Sequence, residues 1–501
     1  MRHFSQIKIG AAISYLALAL NTITGLVYTP WMVDKIGQAD YGLYSLTTSL
    51  IAIFMLDFGL GSAVSRFVSK YRAEGNQQAA NNIIGLIYKL YIGIDVVIFA
   101  VLVVVFAFLG SIYKGLTPDE LEKFKTLYIL VAGFNIISFP FAPLNGILNA
   151  YEKFIQLKLC DLFNRIFTLC FVVAALSFTK NVVVVVLANI ISNLLTIVFK
   201  WIIVKFQVPL KVNFKASGKA IYKSLFGFTV WTTVNSIMQR FTHSFAPSIL
   251  GMTASSIEIA IYSPAVTLEG YYYTLSTAVN GLFLPRVSKY IADKEENKIL
   301  SLMIKVGRYQ IILLGLVFIG FICIGREFMI LWMGPEFEKT YLCALIILFP
   351  TLIGGTQQIA NTTVIAKNLI KYQSYCMLVT GILGLGISFV LSKYIGSVGV
   401  CIGTAVSVLL NTVYMNIIYY KKAGIDMPEF YKKCYFSAIP SYVLTIVLGL
   451  MASKYITLEG WLGLLVKAAI ITIMFLVFVW FSYFTKIERN SIVNKIVWRK
   501  K

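Results

Sequence analysis

Apolar residues in this chain come in long, nearly unbroken runs, where the core-facing stripe of a soluble helix would alternate with polar positions. A helix climbs ~1.5 Å per residue, so crossing a ~30 Å hydrocarbon core takes about 20 mostly apolar residues. Fourteen stretches meet that requirement, at about 9–29, 42–65, 89–110, 127–148, 158–178, 181–203, 223–250, 258–284, 305–325, 341–366, 373–393, 397–419, 435–454 and 460–484. The pattern predicts an all-α, polytopic membrane protein of about 14 transmembrane helices. The first run has no short apolar core ending in a small-residue cleavage site, so it reads as a retained helix. The runs are not alike: the third and sixth are almost wholly apolar, whereas the first, second, seventh and eighth carry hydroxyls, amides and tyrosines.

Composition agrees with a membrane solvent. Of 501 residues, 58% are hydrophobic and only 13% charged, about half the charge density that soluble domains carry. The net charge of +22 would suit a nucleic-acid partner if it were spread over one surface. With the N-terminus inside, however, 31 of the 44 Lys and Arg fall on inner segments and 9 on outer loops, against 8 and 10 acids. The inner face then carries +23, the outer face −1, and the spans cancel. That asymmetry is an orientation signal placing both termini in the cytoplasm, and no nucleic-acid partner is expected. The longest outer loops, about 110–126 and 326–340, are too short for a catalytic domain, and no GxxxxGK[ST] loop is present. Neither an enzyme nor ATP-driven transport by this chain alone is expected. Seven cysteines without paired spacing and two histidines support neither a disulfide framework nor a metal site, and no resident cofactor is expected.

The chain also repeats itself. Tyr44-Ser45 and Tyr262-Ser263, Pro30 and Pro247, VSKY at Val68–Tyr71 and Val287–Tyr290, and Ser192–Ile203 against Ser407–Ile418 all match at offsets of 215 to 219. This common register predicts two six-helix lobes, 1–205 and 223–420, joined by a cytoplasmic linker at 206–222. Two extra helices and a basic tail follow at 421–501. An even number of spans per lobe makes this a parallel repeat, as in some secondary transporters. A cavity opening alternately to either side is the expected consequence.

The stretch Gly37–Tyr71, with Pro247, Tyr262-Ser263 and Leu284-Pro285-Arg286, resembles polysaccharide transporters. These are the O-antigen and capsule repeat-unit flippases of the multidrug/oligosaccharidyl-lipid/polysaccharide exporter superfamily. The resemblance implies movement of undecaprenyl-diphosphate-linked oligosaccharide across the bacterial cytoplasmic membrane, with membrane lipids and the polysaccharide polymerase or export machinery as partners. Lipid II flippases and cation-coupled drug exporters are neighbouring branches. A scaffold partner of a glycan polymerase is the alternative outside transport.

Such a head needs cations for phosphate, and amides, hydroxyls and rings for sugar. The polar spans predict cavity residues Asn21, Asn235, Gln239, Arg240, His243, Glu269, Tyr271 and Tyr272. Arg240 and Glu269 fall near the midplane of their runs, where a charge is costly unless paired, hydrated or functional. They read either as alternate contacts to the diphosphate or as a permanent ion pair. Asp57 and Asp95 are the candidates for coupling to H+ or Na+, or for a helix-locking network. Asp161 and Arg165, spaced i,i+4, are expected to form a structural ion pair. Gln357, Gln358, Asn361, Thr362 and Thr363 line the second lobe or bond between helices. Lys467 is expected to snorkel towards the surface.

Overall fold

The computed structural model describes residues 22–54, 60–215, 233, 237, 240–241, 244–277, 280–484, 486 and 489. Among these, ten helices are long and apolar enough to cross a membrane: Gln77–Ile112, Pro118–Ala150, Phe154–Phe178, Val182–Gln207, Asn297–Met333, Pro335–Gly355, Ile370–Ile395, Ser397–Lys421, Met427–Tyr455 and Gly460–Tyr483. They match ten of the fourteen predicted spans, the third to sixth and ninth to fourteenth. The other four are the polar ones. The first, second and seventh run partly through residues outside those described. The eighth forms a complete helix, Ser256–Thr277, but its two glutamates and tyrosine run make it too polar to join the ten.

The solvent of this fold is legible in what the helices expose. Along Gln77–Ile112, Val96, Val97, Phe99, Val103, Val104 and Phe108 all face outwards. In water such a surface would drive aggregation; in hydrocarbon it is the matched surface, and the helix satisfies its own backbone groups. Polar side chains start helices where loops end. Thr117 and Glu120 form a reciprocal capping box with Pro118 in the first turn, and Asn76, Asn181 and Asp426 each cap with a side-chain oxygen. Within membrane depth, prolines fall near two of the interruptions. Pro140 and Pro143 turn the chain through a short 3-10 segment, Phe139–Phe141, and Pro350 precedes the break at Gly355.

The helices gather into two compact units. The first is Met1–Ser263 with Phe389–Val400, and the second is Pro264–Ser388 with Cys401–Lys501. In the first unit, Tyr113 reaches Ser248 Oγ at 3.3 Å and Tyr128 donates to Leu102 O at 2.8 Å. The repeat-equivalent serines Ser45 and Ser263 hydrogen-bond to each other there at 2.5 Å. In the second unit, Gly384 and Ser388 of one helix meet Gly403 and Ser407 of the next so closely that a Cβ on Gly403 would stand 2.6 Å from Ser388 N and 2.7 Å from Gly384 O. Small residues four apart on both helices permit that approach, which is how membrane helices gain packing without a hydrophobic driving force between them. Two π-helical turns, Lys432–Phe436 and Tyr483's segment Val479–Tyr483, are latched by one side chain. Arg308 donates to Lys433 O at 3.0 Å and Tyr483 O at 2.6 Å, and lies 4.2 Å over the Tyr483 ring.

Candidate functional site

The first unit holds a polar cluster built on the helix hairpin Phe154–Phe178 and Val182–Gln207. The Asn164 amide donates to Thr196 Oγ1 at 3.0 Å and to Asn193 Oδ1 at 3.3 Å, so three polar residues from both helices are tied together. One residue on, Arg165 departs from the expectation. Asp161 pairs with Lys200 at 3.1 Å and with Lys158 at 3.8 Å, and no ion pair joins it to Arg165. The i,i+4 spacing permitted the pair, but Lys200 on the adjoining helix reaches the carboxylate first and leaves the guanidinium free to turn elsewhere. Its charge acts instead on the hydroxyls of Tyr28 and Tyr44, with Asn189 beside Tyr44. Arg165 Nε and Tyr28 Oη are both buried, and neither has a hydrogen-bond partner among the described residues. A guanidinium with no carboxylate partner among the described residues, beside the idle Tyr28 hydroxyl and a set of bonded amides, has the chemistry to receive an anion that carries hydroxyl groups. Sequence spacing missed the true partner of Asp161 because Lys200 is 39 residues away.

Asp95 is also where charge is costly. It is buried inside Gln77–Ile112, and its Oδ1 has no hydrogen-bond partner among the described residues. Arg240 lies in the first unit and is exposed. Glu269 lies in the second, half-buried, and accepts a 2.9 Å hydrogen bond from Thr351 Oγ1. Tyr272 is buried and donates to Leu314 O at 2.9 Å, while its neighbour Tyr271 is half-buried. Asn21, Asp57, Asn235, Gln239 and His243 fall outside the described residues.

Three amides of the second unit bond between helices. Gln357 donates to Tyr431 Oη at 2.7 Å and Gln358 to Ser276 Oγ at 3.0 Å, while Asn361 accepts from Gln373 at 3.3 Å. Thr362 and Thr363 return to carbonyls one turn back on their own helix. Lys467 does not snorkel. It is buried and pairs with Glu327 at 2.7 Å, because a carboxylate at its own depth removes the need to reach water. The pair borders an open cavity of about 570 Å³ that also includes Arg326, Glu459 and Leu458.

A sequence-family description, polysaccharide biosynthesis protein, matches residues 8–288. The chain is 22% identical over 381 residues to a Haloferax volcanii protein named "Probable low-salt glycan biosynthesis flippase Agl15", covering 76% of each. Among solved structures, its fold is similar to the lipid II flippase MurJ in an inward closed conformation, with a TM-score of 0.73 at 13% identity, covering 94% of this chain and 97% of that one. It is similar also to an inward-facing multidrug resistance transporter of the MATE family in the MOP superfamily, with a TM-score of 0.68 at 13% identity, covering 83% and 98%. The architecture is thus that of the MurJ and MATE transporters.

Proposed function

The chain belongs to the polysaccharide biosynthesis protein family, and from that premise we propose that it flips undecaprenyl-diphosphate-linked oligosaccharide repeat units across the bacterial cytoplasmic membrane by alternating access, for surface polysaccharide synthesis. The observation that carries the reading is Arg165. A cation exporter would favour a carboxylate facing its tyrosines and amides, whereas this unit presents a guanidinium with no carboxylate partner among the described residues. Hydroxyls and amides around it suit a sugar, and the charge suits a phosphate. Arg240 and Glu269 serve the same head in alternate states, with Tyr271, Tyr272, Asn21, Asn235, Gln239 and His243 as further wall residues. The lysine-rich segments face the cytoplasm, with both termini on that side. Asp95, whose buried oxygen has no donor among the described residues, is the coupling residue for H+ or Na+, with Asp57 as its companion.

The test is reconstitution. Vesicles holding the purified chain should move a fluorescent lipid-linked oligosaccharide between leaflets and leave cationic dyes untouched. Arg240→Gln should stop that movement at unchanged protein level. Asp95→Asn should remove the response to an imposed proton or sodium gradient. Transport of dyes without transport of the glycan would refute the substrate class, and an unaltered gradient response in Asp95→Asn would refute the coupling role.

A further inference from the structure

A second place in the molecule is built for an anion, inside the second unit and apart from every residue named above as substrate-binding. Along Asn297–Met333, the residues Lys298, Ser301, Leu302, Lys305, Val306, Tyr309 and Gln310 follow at alternating steps of three and one, so they form one stripe along the helix. The stripe has two edges: Lys298, Ser301, Lys305 and Tyr309 are exposed, whereas Leu302, Val306 and Gln310 are buried. Phe283, Arg286 and Tyr290 of the helix Asn280–Ala292 face it, and together the two stripes enclose a cavity of about 520 Å³. That volume lies within the ~300–1,000 Å³ range of ligand sites.

The chemistry of the walls is specific. Arg286 Nε donates to Tyr290 Oη at 2.8 Å, which orients the guanidinium without neutralising it. Lys298 has a surface carboxylate, Glu295, at 2.7 Å. Lys305 has no ion pair or hydrogen bond with the described residues. The cavity therefore keeps a positive surplus. At its inner end, Gln310 is 4% exposed and donates through Nε2 to Ser276 O at 2.9 Å, which fixes the amide orientation and leaves Oε1 buried with no donor among the described residues. An idle acceptor at the end of a cationic cavity asks for a hydroxyl attached to an anion. Phe283, Leu302 and Val306 add an apolar floor.

We propose that this cavity captures the head of an isoprenoid-diphosphate glycan as it arrives in the leaflet on the lysine-rich side. The diphosphate sits against Arg286, Lys298 and Lys305, a hydroxyl of the first sugar donates to Gln310 Oε1, and the first isoprene unit covers the apolar floor. The identity of the lipid rests on the flippase reading; the anion chemistry of the cavity does not.

The deciding measurement uses the full chain in phosphatidylcholine nanodiscs with geranylgeranyl diphosphate as probe. Wild type should bind it, Lys305→Gln should weaken binding about tenfold, and Lys305→Arg should restore most of it. All of these side chains are at the surface, so the variants should fold. Binding insensitive to both Lys305→Gln and Arg286→Gln overturns the proposal. So does displacement of the probe by phosphatidylglycerol at equal concentration, which would make the cavity a general anionic-lipid site. In transport vesicles, a Lys298→Gln/Lys305→Gln double variant should raise the KM for lipid-linked oligosaccharide and leave kcat nearly unchanged. If wild type transports and the double variant keeps its KM, the capture site falls and the flippase reading stands. If wild type moves no glycan, the flippase reading falls, and the binding result still decides the cavity.

Discussion

Two helix hairpins in this protein share one plan and differ in what they were given to do. An offset of 215 residues carries Phe154–Phe178 and Val182–Gln207 onto Ile370–Ile395 and Ser397–Lys421 to within two residues at every end. Where the first hairpin sets Asp161 against Lys200, the second has Cys376 and Met415, both buried in one apolar core. Where the first has Arg165, the second has Thr380, whose carbonyl accepts from Ser407 Oγ at 2.9 Å. The second hairpin closes tightly over Gly384, Ser388, Gly403 and Ser407. The first stays polar and holds a guanidinium that has no carboxylate partner among the described residues. The same backbone thus serves as a packing element in one hairpin and carries charge and amides in the other, and side chains alone make the difference.

The comparison can be broken at four points, from the largest effect down. Arg165→Gln should lower glycan transport by about tenfold or more, the worth of a charged hydrogen bond, with little change in thermal unfolding. A variant that transports normally would return Arg165 to a structural role. Gly403→Leu should cost about 1–3 kcal/mol or more through overpacking and lower the unfolding temperature in detergent by several degrees, since no rotamer avoids Ser388 and Gly384. The same change at a loosely packed glycine such as Gly386, which has open space around it, should be mild. Third, Lys200→Met leaves Asp161 without its nearest partner and should cost about 1 kcal/mol. Adding Asp161→Cys, which copies the second hairpin, should recover most of it, as a double-mutant cycle would read. Ser407→Ala removes one interhelical hydrogen bond and should cost only about 0.6 kcal/mol.

Legibility followed the same division. The apolar runs predicted the ten long helices because each obeys a local requirement, length and hydropathy, that no neighbour can change. The contacts of the polar residues could not be read. Asp161 had both Arg165 and Lys200 within reach, and helical spacing favours only the partner on its own helix. Lys467 read as a snorkelling lysine because nothing local reveals that Glu327, 140 residues earlier, stands at the same depth. The stripe from Lys298 to Gln310 was present in the pattern, but the Phe283, Arg286 and Tyr290 wall that turns it into a cavity depends on the turn between two helices.

By itself the sequence determined the solvent, the helical class, the internal repeat and the uneven distribution of charge, since each follows from the order of apolar and polar residues along one chain. Only the tertiary structure decided which charges neutralise one another and which are left over. Lys200 takes Asp161 and Glu295 pairs with Lys298, while Arg165 and Lys305 have no carboxylate partner among the described residues. Pairing at membrane depth is a competition among distant groups brought to the same height, and that competition is settled by packing.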